Sequence, residues 1–311
     1  MIDELIVAAR LALYVDLMLL FGLPLFALYG QRETELLPSP ETSPRSVLAM
    51  LATIAILLSC LGLAVACAAM AGMPIMGLDS ATVQMVITQT PIGTAWLVRM
   101  AALLVTLVLI GVFISKSRVK ALTALSLTTG IALATLAWGG HGAASEGVVG
   151  TGHLIADIVH LLAAGAWLGA LTVLGSMLFG STEKMTDDHL RLTHRALEGF
   201  SVAGTIIVAL VIVSGLVNSY MLIGPQHILS LPASLYGKLF VIKMALFGLM
   251  LALAAINRFR LTPALRQSIA CSEPSIALAM LRRSLMFELS AAIAILGIVA
   301  WLGTLEPPMS M

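Results

Sequence analysis

Residues 152–178 read Gly152-His153-Leu-Ile-Ala-Asp157-Ile-Val-His160-Leu-Leu-Ala-Ala-Gly-Ala-Trp167-Leu-Gly-Ala-Leu171-Thr-Val-Leu-Gly-Ser-Met177-Leu178. After His160 no ionisable group interrupts the run. A hydrocarbon core about 30 Å thick is crossed by roughly 20 apolar residues in a helix, which satisfies every backbone polar group within itself where lipid offers no partner. The stretch therefore spans a membrane, and it carries two imidazoles and a carboxylate into it.

Seven further runs of the same kind lie on either side. The spans are expected near 4–29, 46–71, 92–115, 121–139, 153–178, 199–222, 238–256 and 284–304. Composition agrees: of 311 residues 59% are hydrophobic and only 11% charged, with a mean hydropathy of +1.03. So little charge cannot clothe a soluble globule, and a net charge of +1 gives no basic field for nucleic acid. The expected architecture is all-α, a polytopic bundle of eight transmembrane helices forming one integral-membrane domain over 1–311. No internal repeat is evident. The acidic start Met1-Ile-Asp-Glu lacks the basic region of a cleaved signal, so the first span is expected to stay attached.

Charge sets the orientation. Thirteen of the 17 Lys and Arg fall in 30–45, 116–120, 179–198 and 257–283, and the alternate connections 72–91, 140–152 and 223–237 carry none. By the positive-inside rule both termini face outward. Trp96, Trp138 and Trp301 then stand at outer helix ends as an interfacial belt, while Trp167 is expected to pack inside. Arg10, Asp16, Arg99, Asp157, Lys243 and Glu288 lie within spans, three of each sign, and are expected to balance one another.

The chemistry concentrates at the outer side. The loop Trp138-Gly-Gly-His141-Gly feeds the fifth span, on which His153, Asp157 and His160 share an arc of about 60°, with about 10 Å between the two histidines along the axis. Imidazoles suit copper, zinc, iron and nickel, and a nearby carboxylate ligates directly or orients an imidazole. Ionisable groups at membrane depth are costly, which favours a site over packing. At the end of the second span Met70, Met73 and Met76 present thioethers, soft ligands that select Cu(I) and also common gap-fillers. Cys60 reads as a packing residue, and Asn218 and His227 as outlying candidates. Walker and Rossmann phosphate loops are missing from the sequence, so no nucleotide is expected as an energy source.

These residues resemble the CopD/PcoD family of bacterial copper-resistance membrane proteins. The likeness rests on Gly-Gly-His141, on Gly152-His153, Ala156-Asp157 and His160 through Leu171, and on Gly237-Lys238-Leu, Lys243 and Asn257-Arg258-Phe-Arg-Leu261-Thr-Pro263. It covers essentially the whole chain. The resemblance implies a non-enzymatic protein of the cytoplasmic membrane with periplasmic termini. It would handle copper, as Cu(I), Cu(II) or both, bring it inward and work with a periplasmic CopC-type chaperone. Delivery to a copper enzyme is a neighbouring role. The family's metal role falls on His141, His153, Asp157 and His160, and on Met70, Met73 and Met76. A membrane b-type haem or quinone oxidoreductase is the alternative from another class, but bis-imidazole haem needs histidines facing each other from two helices.

Overall fold

The computed structural model describes residues 2–30, 44–112, 118–139, 147–179, 187–224, 226, 231–271, 275–306 and 308. These form α1 (Ile2–Tyr29), α2 (Pro44–Ala71), α3 (Ser80–Gln89), α4 (Pro91–Val112), α5 (Arg118–Ala134), α6 (Gly147–Leu178), α7 (Asp187–Ile223), α8 (Leu235–Ile256), α9 (Thr262–Ala270) and α10 (Ser275–Leu302). Among the described residues there is no strand. Eight stretches are long and apolar enough to cross a membrane: α1, α2, α4, α5 with the 3-10 turn after it, α6, α7, α8 with its continuation, and α10. An even number of crossings returns the chain to the face from which it started, here called the termini face; the opposite one is the basic face.

Three helices outrun the expected spans. The expected 199–222 is the latter part of α7, which begins at Asp187; the expected 284–304 starts at Ser275; and the expected 238–256 continues beyond α8. Hydropathy marks only the apolar part of a helix, while Arg191, Arg195, Arg282 and Arg283 are good helix formers that extend the backbone ladder beyond it. Beyond α8 the ladder widens into a π turn, Asn257–Leu261, and passes into α9.

The short α3 was not expected within 72–91. Its signal is Asp79, which caps it by accepting from the Thr82 backbone N–H at 2.8 Å. Hydrogen bonds from Thr82 hold the Asp79 carboxyl below the ordinary carboxylate range.

α1 and α6 form the centre. α6 packs on α1, α7 and α10, α1 also packs on α2, α5 and α10, and α4 bridges α2 and α5. α6 is the most buried of the spans, whereas α8, packed chiefly on α10, is the most open to lipid. Small residues bring the central pair together: a Cβ on Gly22 would stand 2.8 Å from the Gly169 Cα. Close backbone approach through glycine is how membrane helices gain packing when apolar burial alone favours no partner over lipid.

Two expectations about single residues change. Cys60 lies on the exposed surface of α2 rather than in packing. Trp96 is more than a belt residue, since it packs with Leu63, Cys67 and Val86 and its indole N–H donates to the Ser59 carbonyl oxygen at 3.1 Å. An indole at the bundle's edge gains both apolar cover and a partner for its N–H that way. Trp167 is buried, edge-on to Phe247 with ring centroids 6.3 Å apart.

Candidate functional site

α6 and α7 run antiparallel, which sets residue 157 opposite 218 and residue 160 opposite 214. The Asn218 amide donates to Asp157 Oδ1 at 3.2 Å. His160 Nδ1 lies 3.0 Å from Ser214 Oγ. The Ser214 hydroxyl donates its one proton to the Leu210 carbonyl oxygen at 2.5 Å, so the imidazole must donate to Ser214. Nε2 of the neutral ring then keeps its lone pair. Gly215 permits the approach, because a Cβ there would meet His160 Cε1 at 3.2 Å. His153, nearer the start of α6, is buried. Lys243 of α8 is close enough to act electrostatically on Asp157 and His160.

His160 opens onto a cavity of about 150 Å³ that also touches Lys243, Met18, Met244, Met250 and Ser219, with mostly apolar walls. Neither His153 nor Asp157 lines it. The three residues of one arc thus form a series, with His160 on the cavity and Asp157 turned to Asn218 on α7. The 3.6-residue repeat puts them on one face but spaces them along the axis. Among the described residues no three His, Cys, Asp or Glu side chains gather closely enough to hold a metal ion. His153 and His160 both belong to α6, and His194 of α7 lies about 30 Å along that helix from Ser214, the partner of His160, an arrangement unlike the facing pair of bis-imidazole haem.

The intramembrane charges are satisfied mainly by neutral dipoles, a correction to the expected pairing of opposite signs. Arg10 donates to the Gly303 carbonyl oxygen at 2.6 Å and the Gly139 carbonyl oxygen at 3.0 Å, and Arg99 Nε donates to Thr135 Oγ1 at 2.8 Å. Glu288 accepts from the Asn257 amide. Helix-end carbonyls carry partial negative charge and lie at fixed positions, so they serve a guanidinium fork without a second buried ion. Tyr14 of α1 senses Arg10, Asp157 and Arg99, which places this polar group across α1, α4 and α6.

The other expected ligands lie apart. Met70, Met73 and Met76 are all exposed, Met76 at 99%. Met70 lies in the last turn of α2 and Met73 and Met76 follow it; α2 packs on α1, α3 and α4, and α1 stands between it and α6. His141 and His227 lie outside the described residues. Sequence reasoning missed Ser214, Met18 and Met250. Nothing in a single sequence singles them out, because their part depends on which helix lies opposite.

These features define a multi-pass, all-helical membrane protein with a polar site set into its interior from the termini face. Residues 1–151 match the family of the copper resistance protein D-like N-terminal domain, and residues 194–302 match the copper resistance protein D family. The chain is 43% identical over 307 residues to Copper resistance protein D of Pseudomonas syringae pv. tomato, covering 99% of this chain and 98% of that one. It is 27% identical over 306 residues to Inner membrane protein YebZ of Escherichia coli (strain K12), covering 97% and 98%. No solved structure matches it. The chain belongs to the copper resistance protein D family, and it is a multi-pass protein of the inner membrane.

Proposed function

We propose that this protein binds copper at the periplasmic face of the cytoplasmic membrane and moves it inward. The observation that carries the reading is the His160 imidazole. Its Nδ1 lies 3.0 Å from Ser214 Oγ, whose own proton goes to Leu210, and the ring lines a membrane cavity; with Nδ1 donating, a lone pair is left on Nε2 for a metal. Metal-binding histidines are commonly oriented in this way, by a hydrogen bond from the other ring nitrogen. His153 and Asp157 precede it on α6, and His141 comes twelve residues before His153 in the sequence. Met70, Met73 and Met76, exposed at the end of α2 and just after it, form a separate soft set suited to first capture of Cu(I) from a periplasmic CopC-type chaperone.

The charge asymmetry supports a periplasmic termini face. The chain works as one membrane domain, 1–311, a reading supported by a single buried apolar cluster that draws residues from every span. The role is carriage rather than catalysis, with copper as cargo in either oxidation state. Copper bound per mole of detergent-purified protein tests this, for the parent and for His153→Ala with His160→Ala. Loss of high-affinity copper in the double variant is the expected outcome; unchanged stoichiometry and affinity removes the site.

A further inference from the structure

The sequence shows no dense ligand set in the half of the membrane near the basic face. The structure shows that half to be hollow. A cavity of about 920 Å³ lies beyond Trp167, and Trp167 and Leu171 wall both it and the smaller His160 cavity. The larger cavity reaches the exposed Glu198, Arg258 and Arg266. One buried indole, braced by Phe247, thus divides two chambers.

On the wall of the larger chamber sits Glu288, 2% exposed, midway along α10. Among the described residues no Lys or Arg forms an ion pair with it; its carboxylate accepts from Asn257. Asn257 is itself 8% exposed and lines the same chamber, and its Oδ1 has no hydrogen-bond partner. A buried amide normally satisfies both its ends. Asn257 also opens the π turn, a widening of the helix that recurs at functional sites. A carboxyl group and an unsatisfied amide oxygen, on hydrogen-bonded side chains that both line the chamber, make a pair of oxygen donors suited to a cation.

We infer that Glu288 and Asn257 form a second cation station, which takes the copper ion after it passes Trp167 and before it leaves at the basic face. The inference rests on the reading of His160 as the outer ligand. Two oxygen donors hold copper less firmly than imidazole or thioether, which suits a transit site: conduction requires binding favourable enough to enter and weak enough to leave. The ion crosses without change of oxidation state, so no electron donor is needed.

The test compares two measurements on full-length protein: copper bound in detergent, and copper taken up by proteoliposomes. Glu288→Gln keeps the shape of the side chain and a hydrogen bond to Asn257. It is expected to keep the high-affinity copper of the outer site and melt like the parent while uptake falls at least tenfold, and Glu288→Asp is expected to recover part of the loss. Should Glu288→Gln lose its thermal transition, Asn257→Ala takes its place, with the same expected fall in uptake. Uptake equal to the parent's overturns the station, as does a parent that binds copper without moving it. A parent that binds no copper at all brings down the outer-site reading and the station with it.

Discussion

Gly22 of α1 and Gly169 of α6 meet backbone to backbone, so a methyl group on Gly22 would stand 2.8 Å from the Gly169 Cα. Gly169→Ala is therefore expected to prise the central pair apart. Overpacking of this kind costs about 1–3 kcal/mol. A lowered thermal midpoint in detergent checks it. Gly62→Ala, where a Cβ meets nothing within 4 Å, serves as the neutral control.

Ser214 holds the ring of His160 while the hydroxyl proton goes to Leu210. Ser214→Ala leaves the ligand present but unoriented, and losing such a partner typically weakens metal binding about 10–100-fold. Competition with a chelator of known copper affinity measures the change, and Ser214→Thr should restore most of it. An unaltered affinity in Ser214→Ala denies His160 its place in the site.

The exposed methionines and the α6 histidines predict separable defects. Replacing Met70, Met73 and Met76 together by Leu is expected to slow copper transfer from a loaded chaperone. Equilibrium binding at His160 should stay at the parent's value. Stopped-flow transfer and equilibrium dialysis read the two independently.

Acid is expected to loosen α3 before the rest of the fold. The Asp79 carboxyl is held below its ordinary range by Thr82, so the cap's stabilisation is complete above that range. It is lost as pH falls through the depressed folded value. Protection factors of the Thr82 and Val83 amides in detergent should fall at low pH, and Asp79→Ala should show the low protection already at neutral pH.

Membrane orientation is open to direct reading. A thiol-reactive probe that does not cross membranes should label a cysteine placed at Thr304 from the periplasm and one placed at Lys120 only after permeabilisation, in a background lacking the three native cysteines. The reverse pattern overturns the charge-based assignment.

The spans were legible because lipid imposes a single demand, a long apolar helix, and eight of them meet it. Their ends were less so: α7 and α10 continue through Arg191 and Arg283, where hydropathy falls and helix propensity does not. For the site, helical periodicity brought out His153, Asp157 and His160 on α6. The same periodicity is silent about the facing helix, so Ser214 went unnoticed. The unsatisfied Asn257 is of the same kind, since its condition depends on what packs around it and not on its neighbours in the chain.

Tyr14 of α1 interacts with Arg10 and Arg99, and Lys243 acts on Asp157, so three basic side chains share the interior beside the carboxyl of Asp157. On the proposed reading, sodium, potassium or magnesium, attracted by field alone, would be repelled there. A copper ion would have directional bonds to an imidazole lone pair to set against the same field. Such a gathering of cations would sort ions by the kind of bond they form.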